Sequence, residues 1–130
     1  GSFFQADADS DRPAFTISMP PPNATGTLHL GHAIMLAVED LMIRWRRMKG
    51  DEALWVPGTD HAAIATESVV IKNLQKEGIK DPRETFGREA LIEKIADFVE
   101  SSRRIIRSQI RAMGASCDWS RERYTMQPEL

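Results

Sequence analysis

Residues 14–32 read AFTISMPPPNATGTLHLGH, and they combine three kinds of local structure. Ala14 to Met19 are β-prone and have a proline on each side, which predicts a short strand. Residues 20–26 contain three prolines and a glycine, so they form a stiff loop rather than more strand. A helix then begins near Leu30. In units of this order, ligands bind beyond the carboxyl end of the strand.

The residues after this stretch predict a βαβ unit. Apolar side chains at 30, 34, 37, 38, 41, 45 and 48 have the spacing of an amphipathic helix, which Gly50 ends. Residues 53–56 then predict a second strand, stopped by Pro57-Gly58. A strand, a helix and a strand in this order predict an α/β fold with parallel strands.

The rest of the chain predicts two more helices. One runs from Ala62 to Glu77 and is closed by Gly78. Asp81 is a helix-capping residue before Pro82, and a long helix from Arg88 to Met113 follows. Its apolar stripe consists of Ile92, Ile95, Val99, Ile106, Ile110 and Met113. The tail from 117 to 130 has no periodicity.

Length and composition favour one compact domain. The 130 residues are 42% hydrophobic and carry a net charge of −2, which argues against disorder and against a wholly basic nucleic-acid-binding surface. Gly1-Ser2 resembles the remnant of a cleaved tag, and residues 3–12 form an acidic arm before a domain spanning 13–130. Cys117 is the single cysteine and excludes an intramolecular disulfide. With no apolar run long enough for a membrane span, we expect a cytoplasmic protein.

His29 and His32 are the first candidate functional residues. They lie at the predicted helix start, where free backbone N–H groups attract anions, so they could bind a polyphosphate and stabilise charge during its transfer. Gly31 would let a flat ring approach the backbone. Each histidine could instead only cap or pack. A zinc site with His61 and Cys117 has none of the usual ligand spacings.

Asp60 is the second candidate, because it follows the second predicted strand. Its carboxylate could bind the ammonium group of a small ligand, or it could only cap the next helix. Pro20 and Pro21 could support a small apolar side chain, or only end the first strand. Because both loops follow the carboxyl ends of parallel strands, we expect them to converge. The long helix has a basic flank that could contact phosphate, but a solvated face paired with Glu100 is the favoured interpretation; the flank consists of Arg103, Arg104, Arg107 and Arg111.

Three segments carry a resemblance to a known family. Residues 20–33, PPPNATGTLHLGHA, resemble the HIGH signature of class I aminoacyl-tRNA synthetases, and the prolines with Asn-x-Thr-Gly resemble its valine-specific branch. Residues 55–66, WVPGTDHAAIAT, and residues 113–125, MGASCDWSRERYT, are similar to later blocks of the same branch. The resemblance implies the N-terminal half of a Rossmann-type nucleotide-binding fold.

The resemblance also implies a reaction and its residues. ATP, with Mg²⁺, would activate L-valine as valyl-adenylate, and the valyl group would pass to the 3′ end of tRNA(Val). His29 and His32 would be catalytic, and no metal site is implied within the chain. ATP would contact Thr27, His29, Gly31 and His32. Valine would contact Pro20, Pro21, Asn23 and Asp60.

The family's second ATP signature, Lys-Met-Ser-Lys-Ser, does not occur in these 130 residues. We therefore expect the first part of a longer enzyme, with little or no activity on its own. The chain could form a homo-oligomer through the edge of residues 14–19 or through the long helix. Two other functions stay open: a nucleotidylyltransferase with a similar His-x-Gly-His, and a nucleotide-binding module without catalysis.

Overall fold

The computed structural model describes residues 3–127. The predicted tag remnant at Gly1-Ser2 and the last three residues of the tail lie outside this range. The elements are, in chain order, β1 (Ala14–Ser18), α1 (Leu30–Met48), β2 (Glu52–Val56), β3 (Gly58–Thr59), α2 (Ala63–Lys76), α3 (Pro82–Ala112), a 3₁₀ turn (Trp119–Arg121) and β4 (Arg123–Tyr124).

The predicted βαβ unit is confirmed. Strands β1 and β2 are parallel, with Ala14 opposite Glu52 and Ser18 opposite Val56. The backbone N–H of Met19 extends the ladder by donating to Val56 at 3.0 Å. Helix α1 has the predicted bounds and forms the crossover between the two strands.

The core lies between the sheet, one face of α1 and the second half of α3. Trp55 on β2 is fully buried, and its indole Nε1 donates to Glu39 on α1 at 2.9 Å. Leu36 and Ile43 are the buried residues of α1, and Ile106 is a buried residue of α3 in the same cluster. These apolar contacts supply most of the burial, because a two-stranded sheet has little surface of its own.

The apolar positions that predict α1 are not the ones that pack on the sheet. Leu36 and Ile43 face the core, whereas the predicted stripe is exposed, including Leu30, Leu41 and Met48. The helix is therefore apolar on two sides. A periodic pattern indicates that a helix forms, but it does not say which of two apolar faces a neighbour covers.

The predicted cap at Asp81 is confirmed, but helix α3 begins at Pro82 rather than at Arg88, and it has a break near its start. The Asp81 carboxylate accepts from the N–H groups of Arg83 and Glu84, with Pro82 in the first turn. Gly87 interrupts the helix at φ 71°, a left-handed conformation that glycine adopts without steric cost. The predicted stripe is only partly buried: Val99, Ile106 and Ile110 are covered, whereas Ile92 and Met113 are exposed.

The tail, which has no periodicity in the sequence, contains two short elements. Residues 119–121 form a 3₁₀ turn, and β4 pairs in parallel with β3. Strand β2 ends before Pro57 as predicted, and β3 is a separate short strand after it. Arg107 holds this tail through two hydrogen bonds to the Glu122 carboxylate, at 2.8 and 3.1 Å. Two-residue strands are too short to produce a period in the sequence.

The acidic arm lies against the domain. The backbone N–H of Asp7 donates to Glu52 at 2.9 Å, and Arg12 forms an ion pair with the same carboxylate. The Phe4 ring lies 5.0 Å from the guanidinium of Arg47. The Arg121 guanidinium donates to the carbonyl of Ala6 at 3.0 Å.

Candidate active site

Helix α1 begins with two histidines that bond to each other's backbone. His29 is the N-cap, and its Nδ1 accepts from the N–H of Gly31 at 3.1 Å. In return, Nδ1 of His32 accepts from the N–H of His29 at 3.3 Å. The two ring centroids are 3.9 Å apart. The imidazoles therefore form a reciprocal cap of the kind that Ser and Glu side chains form elsewhere.

The sequence predicted that the backbone N–H groups at this helix start are free to bind an anion, but the cap occupies some of them. The N–H groups of His29 and Gly31 are already bonded to ring nitrogens, and that of Leu28 donates to Gln109 at 2.8 Å. An anion at this end therefore meets imidazole edges more than backbone. Since each Nδ1 accepts, each neutral ring carries its proton on Nε2. Neither Nε2 has a hydrogen-bond partner among residues 3–127.

The surroundings lower the pKa of His32. Burial disfavours the charged ring most, and the neighbouring charge of His29 adds to the effect. His32 is consequently neutral at pH 7, with Nε2–H available as a donor rather than as a fixed positive charge.

We expect His32 to titrate below the ordinary histidine value of about 6.5. Because the unfolded chain then binds this proton more tightly, the contribution of His32 to stability is present above about pH 6.5 and is lost as the pH falls through the lower folded value. An NMR pH titration of the imidazole signals measures the pKa directly, with His32→Gln to assign them. A pKa at or above the ordinary value would contradict the desolvation described here.

Gly31 has a clear steric role. A Cβ built on it would lie 2.9 Å from Cε1 of His29, so the His29 ring would have to shift from its position over this turn. The sequence suggested that a flat ring approaches Gly31, and in the structure one such ring is the imidazole of His29 itself. Contact of Gly31 with adenine stays a prediction.

A cavity of ≈ 410 Å³ lies beside the two histidines, and a cavity of this size can hold a small ligand. It brings together most of the predicted binding residues from the loop after β1 and the start of α1. Its lining consists of Pro20, Pro21, Pro22, Asn23, Thr25, Thr27, Leu28, His29, His32 and Met35.

Asp60 lies at the edge of this site, and backbone hydrogen bonds connect it to the loop after β1. Its N–H donates to the carbonyl of Pro22 at 2.9 Å, and its carbonyl accepts from Ala24 at 2.8 Å, forming a parallel bridge opposite Asn23. The two loops after β1 and β2 thus converge, as expected from the carboxyl ends of parallel strands. Asp60 itself is not among the residues that line the cavity.

Asp60 is also not the cap of α2. The N-cap is Ala62, at φ 52°, and it has no side-chain cap. Oδ1 of Asp60 accepts instead from the N–H of Ala62 at 3.1 Å and from the hydroxyl of Thr125 at 2.9 Å. Thr125 is a residue that sequence reasoning missed, although it ends the third quoted block. A hydrogen bond across 65 positions gives no local signal.

The arginines of α3 and Cys117 make contacts that stabilise the fold and do not form a second site among the residues that the structure describes. Arg103 and Arg107 pair with Glu100 and Glu122, and the guanidinium of Arg111 lies 4.4 Å from the Trp119 ring. Burial raises the pKa of the Cys117 thiol to about 12, which leaves almost no thiolate at neutral pH. Within residues 3–127 no three His, Cys, Asp or Glu side chains are grouped closely enough to hold a metal ion.

The fold and the site together are typical of a nucleotide-binding α/β domain. A parallel βαβ unit carries an imidazole pair at the start of its helix and a carboxylate after its second strand. The sequence profile of the tRNA synthetases class I (I, L, M and V) matches residues 1–130, and the chain belongs to this family. Its fold is the N-terminal half of the Rossmann-like domain.

Three relatives of this chain are valine–tRNA ligases. The chain is 51% identical over 126 residues to the valine–tRNA ligase of Chlamydia muridarum, which covers 97% of this chain and 13% of that protein. It is 51% identical over 126 residues to the valine–tRNA ligase of Dehalococcoides mccartyi strain 195, covering 97% and 14% of the two proteins. With the valine–tRNA ligase of Geobacter sulfurreducens the identity is 48% over 128 residues, covering 98% and 14%. The chain therefore spans about one seventh of the length of these relatives.

A solved structure has the same fold at lower sequence similarity. It is the ternary complex of Agrobacterium radiobacter K84 agnB2 LeuRS with tRNA and LeuAMS, with a TM-score of 0.73 and 21% identity. The match covers 96% of this chain and 14% of that one. Between residues 3 and 127 of our chain, no helix combines the length and the apolar character that crossing a membrane requires.

Proposed function

We propose that this chain supplies the valine-binding and ATP-binding half of the active site in a valine–tRNA ligase. In the intact protein the carboxylate of L-valine attacks the α-phosphate of ATP, pyrophosphate leaves, and the valyl group passes to tRNA(Val). The identity to three valine–tRNA ligases supports the substrate. The backbone bridge between Asn23 and Asp60 carries the proposal, because it joins an acidic group to the cavity that holds both histidines.

Each end of the cavity suits one substrate. Pro20 and Pro21 offer rigid apolar surface against which a small branched side chain packs with little loss of entropy. Asn23 lies beside them, and Asp60 provides the negative charge for the ammonium group. This arrangement favours a small α-amino acid.

The other end suits a polyphosphate. His29 and His32 present Nε2–H donors, Thr27 lines the same cavity, and Gly31 keeps the first turn free of a side chain. Such donors act best where charge develops during transfer of the phosphoryl group. Mg²⁺ would be held mainly by the ATP phosphates, as in many nucleotide sites, and would neutralise part of their charge. The reaction belongs in the cytoplasm, where ATP and tRNA are available.

The proposal is tested by pyrophosphate exchange into ATP with the intact protein. Exchange should depend on valine, and isoleucine should support it less well, since one extra methylene in an apolar pocket changes kcat/KM by about 10–200-fold. Exchange that depends on a phosphorylated acceptor instead of an amino acid would support a nucleotidylyltransferase. Exchange without any selectivity among amino acids would contradict the valine pocket.

Asp60→Ala in the intact protein should weaken valine binding much more than ATP binding. The carboxylate is the partner of the ammonium group, and one hydrogen bond to a charged group contributes about 1.5–3 kcal/mol. The measurement is the KM for valine and for ATP in pyrophosphate exchange.

Two variants serve as controls for this prediction. Asp60→Asn retains an oxygen that accepts from the N–H of Ala62 but removes the charge, so it should also raise the KM for valine. Asp97→Ala removes an exposed carboxylate on α3 and should leave both KM values unchanged. An equal loss for valine and ATP in Asp60→Ala would show that Asp60 only maintains the loop.

A further inference from the structure

Thr125 connects the end of the chain to the Asp60 carboxylate. Its hydroxyl oxygen accepts from the backbone N–H of His61 at 2.9 Å and donates to Oδ1 of Asp60 at 2.9 Å. We infer that Thr125 is a positioning residue for valine: it orients Asp60 so that the second carboxylate oxygen binds the ammonium group. The inference rests on the proposed function.

The direction of the hydroxyl proton follows from its two partners. The His61 N–H can only donate, so it takes a lone pair of the hydroxyl oxygen. An ionised carboxylate can only accept, so the single hydroxyl proton of Thr125 is directed to Asp60. Serine could reproduce both bonds at this position, and valine could reproduce neither.

These bonds leave one carboxylate oxygen for the ligand. Oδ1 of Asp60 receives two donors, the hydroxyl of Thr125 and the N–H of Ala62. Among the described residues none donates a hydrogen bond to Oδ2. A carboxylate fixed through one oxygen has lost its rotational freedom before the ligand arrives, which lowers the entropic cost of binding.

Strand β4 determines where Thr125 lies. Gly58 is opposite Arg123 in the ladder, and the N–H of Arg123 donates to Pro57 at 3.0 Å. The next residue pair, Thr59 and Tyr124, then sets Thr125 beside Asp60.

Arg103 on α3 contacts both strands of the β3–β4 ladder and so stabilises its register. Its Nε donates to the hydroxyl of Thr59 at 3.2 Å, and its guanidinium lies 4.0 Å from the centre of the Tyr124 ring. Thr59 is buried, whereas Thr125 is exposed. Exchanging the side chain of Thr125 therefore removes two hydrogen bonds and very little packing.

The test compares Thr125→Val with Thr125→Ser in the intact protein. Thr125→Val has nearly the same shape without the hydroxyl, and it should raise the KM for valine about 10-fold in pyrophosphate exchange, the effect of losing one hydrogen bond to a charged group. The KM for ATP and kcat should stay unchanged. Thr125→Ser should restore the KM for valine. If Thr125→Val does not fold, as judged by circular dichroism, Thr125→Ala is compared in its place.

A valine analogue separates positioning from general damage. 2-Hydroxy-3-methylbutanoate has the carboxylate and the side chain of valine, but a hydroxyl replaces the ammonium group. Its inhibition constant against valine should be little changed by Thr125→Val, because it has no positive charge for Asp60. Equal weakening of valine and this analogue would overturn the inference, and so would a serine variant that behaves like the valine variant.

The two proposals fail in different ways. No valine-dependent exchange by the unsubstituted protein would overturn the proposed function, and with it the inference, before any variant is compared. Valine-dependent exchange that Thr125→Val leaves at the unsubstituted KM would overturn only the role of Thr125.

Discussion

His32→Ala in the intact protein should slow the formation of valyl-adenylate about 10²–10³-fold, the usual effect of removing one donor from developing charge. His32 lines the cavity in which the phosphates are proposed to bind, and its Nδ1 is already engaged by the His29 N–H, which leaves Nε2–H as the donor. The measurement is a single-turnover rate with saturating ATP and valine, which isolates the chemical step from product release. His29→Ala should have an effect of similar size.

Asparagine at position 32 is the matched control for this prediction. Its side-chain oxygen can accept from the His29 N–H, so His32→Asn retains the cap but lacks a donor at the position of Nε2. If catalysis needs the donor, both variants are slow. A single-turnover rate that His32→Ala leaves unchanged would remove the histidine from the mechanism, and full activity of His32→Asn would reduce it to a cap.

Trp55→Ala should lower the free energy of unfolding of this chain by about 3–5 kcal/mol, the range for deleting a large buried aromatic side chain. Trp55 is 0% exposed and lies at the centre of the core. Its loss also removes the donor to Glu39, a carboxylate whose pKa is already raised because burial disfavours its charge. The measurement is urea denaturation followed by circular dichroism.

Trp45→Ala is the control for Trp55→Ala. Trp45 is a tryptophan of α1 on the exposed apolar side, with 49% of its surface accessible, so its removal leaves no cavity. Its unfolding free energy should change by less than about 1 kcal/mol. Equal losses for the two variants would contradict the description of the core.

The elements that sequence patterns predicted well are those with local signals. Helix α1 has the predicted bounds because Gly50 and a basic last turn mark its end. Asp81 followed by Pro82 marks the start of α3 for the same kind of reason. The parallel pairing of β1 and β2 follows from the rule for a strand, a helix and a strand.

What the patterns missed depends on contacts between distant residues. Strand β4 is two residues long, and its position is set by Arg103 and by the ladder with β3. The choice between the two apolar sides of α1 is likewise made by the sheet and not by the helix. Local periodicity contains neither piece of information.

In the candidate site, too, features set by local sequence were predictable and features set by contacts between particular side chains were not. Convergence of the two loops was predictable, because parallel strands end at one edge of a sheet. The use of both imidazole Nδ1 atoms as caps was not, because it depends on side-chain rotamers at His29 and His32. The hold of Thr125 on Asp60 depends on a hydrogen bond between residues 65 positions apart.

The reciprocal cap at the start of α1 restricts how this segment can vary by mutation. His29 needs Gly31 for space, and the backbone of His29 needs the ring of His32 for a partner. A substitution at any one of the three positions therefore changes which residues the other two positions tolerate. In a library randomised at all three, accepted residues should occur in correlated sets, and routes that pass through single substitutions should be few.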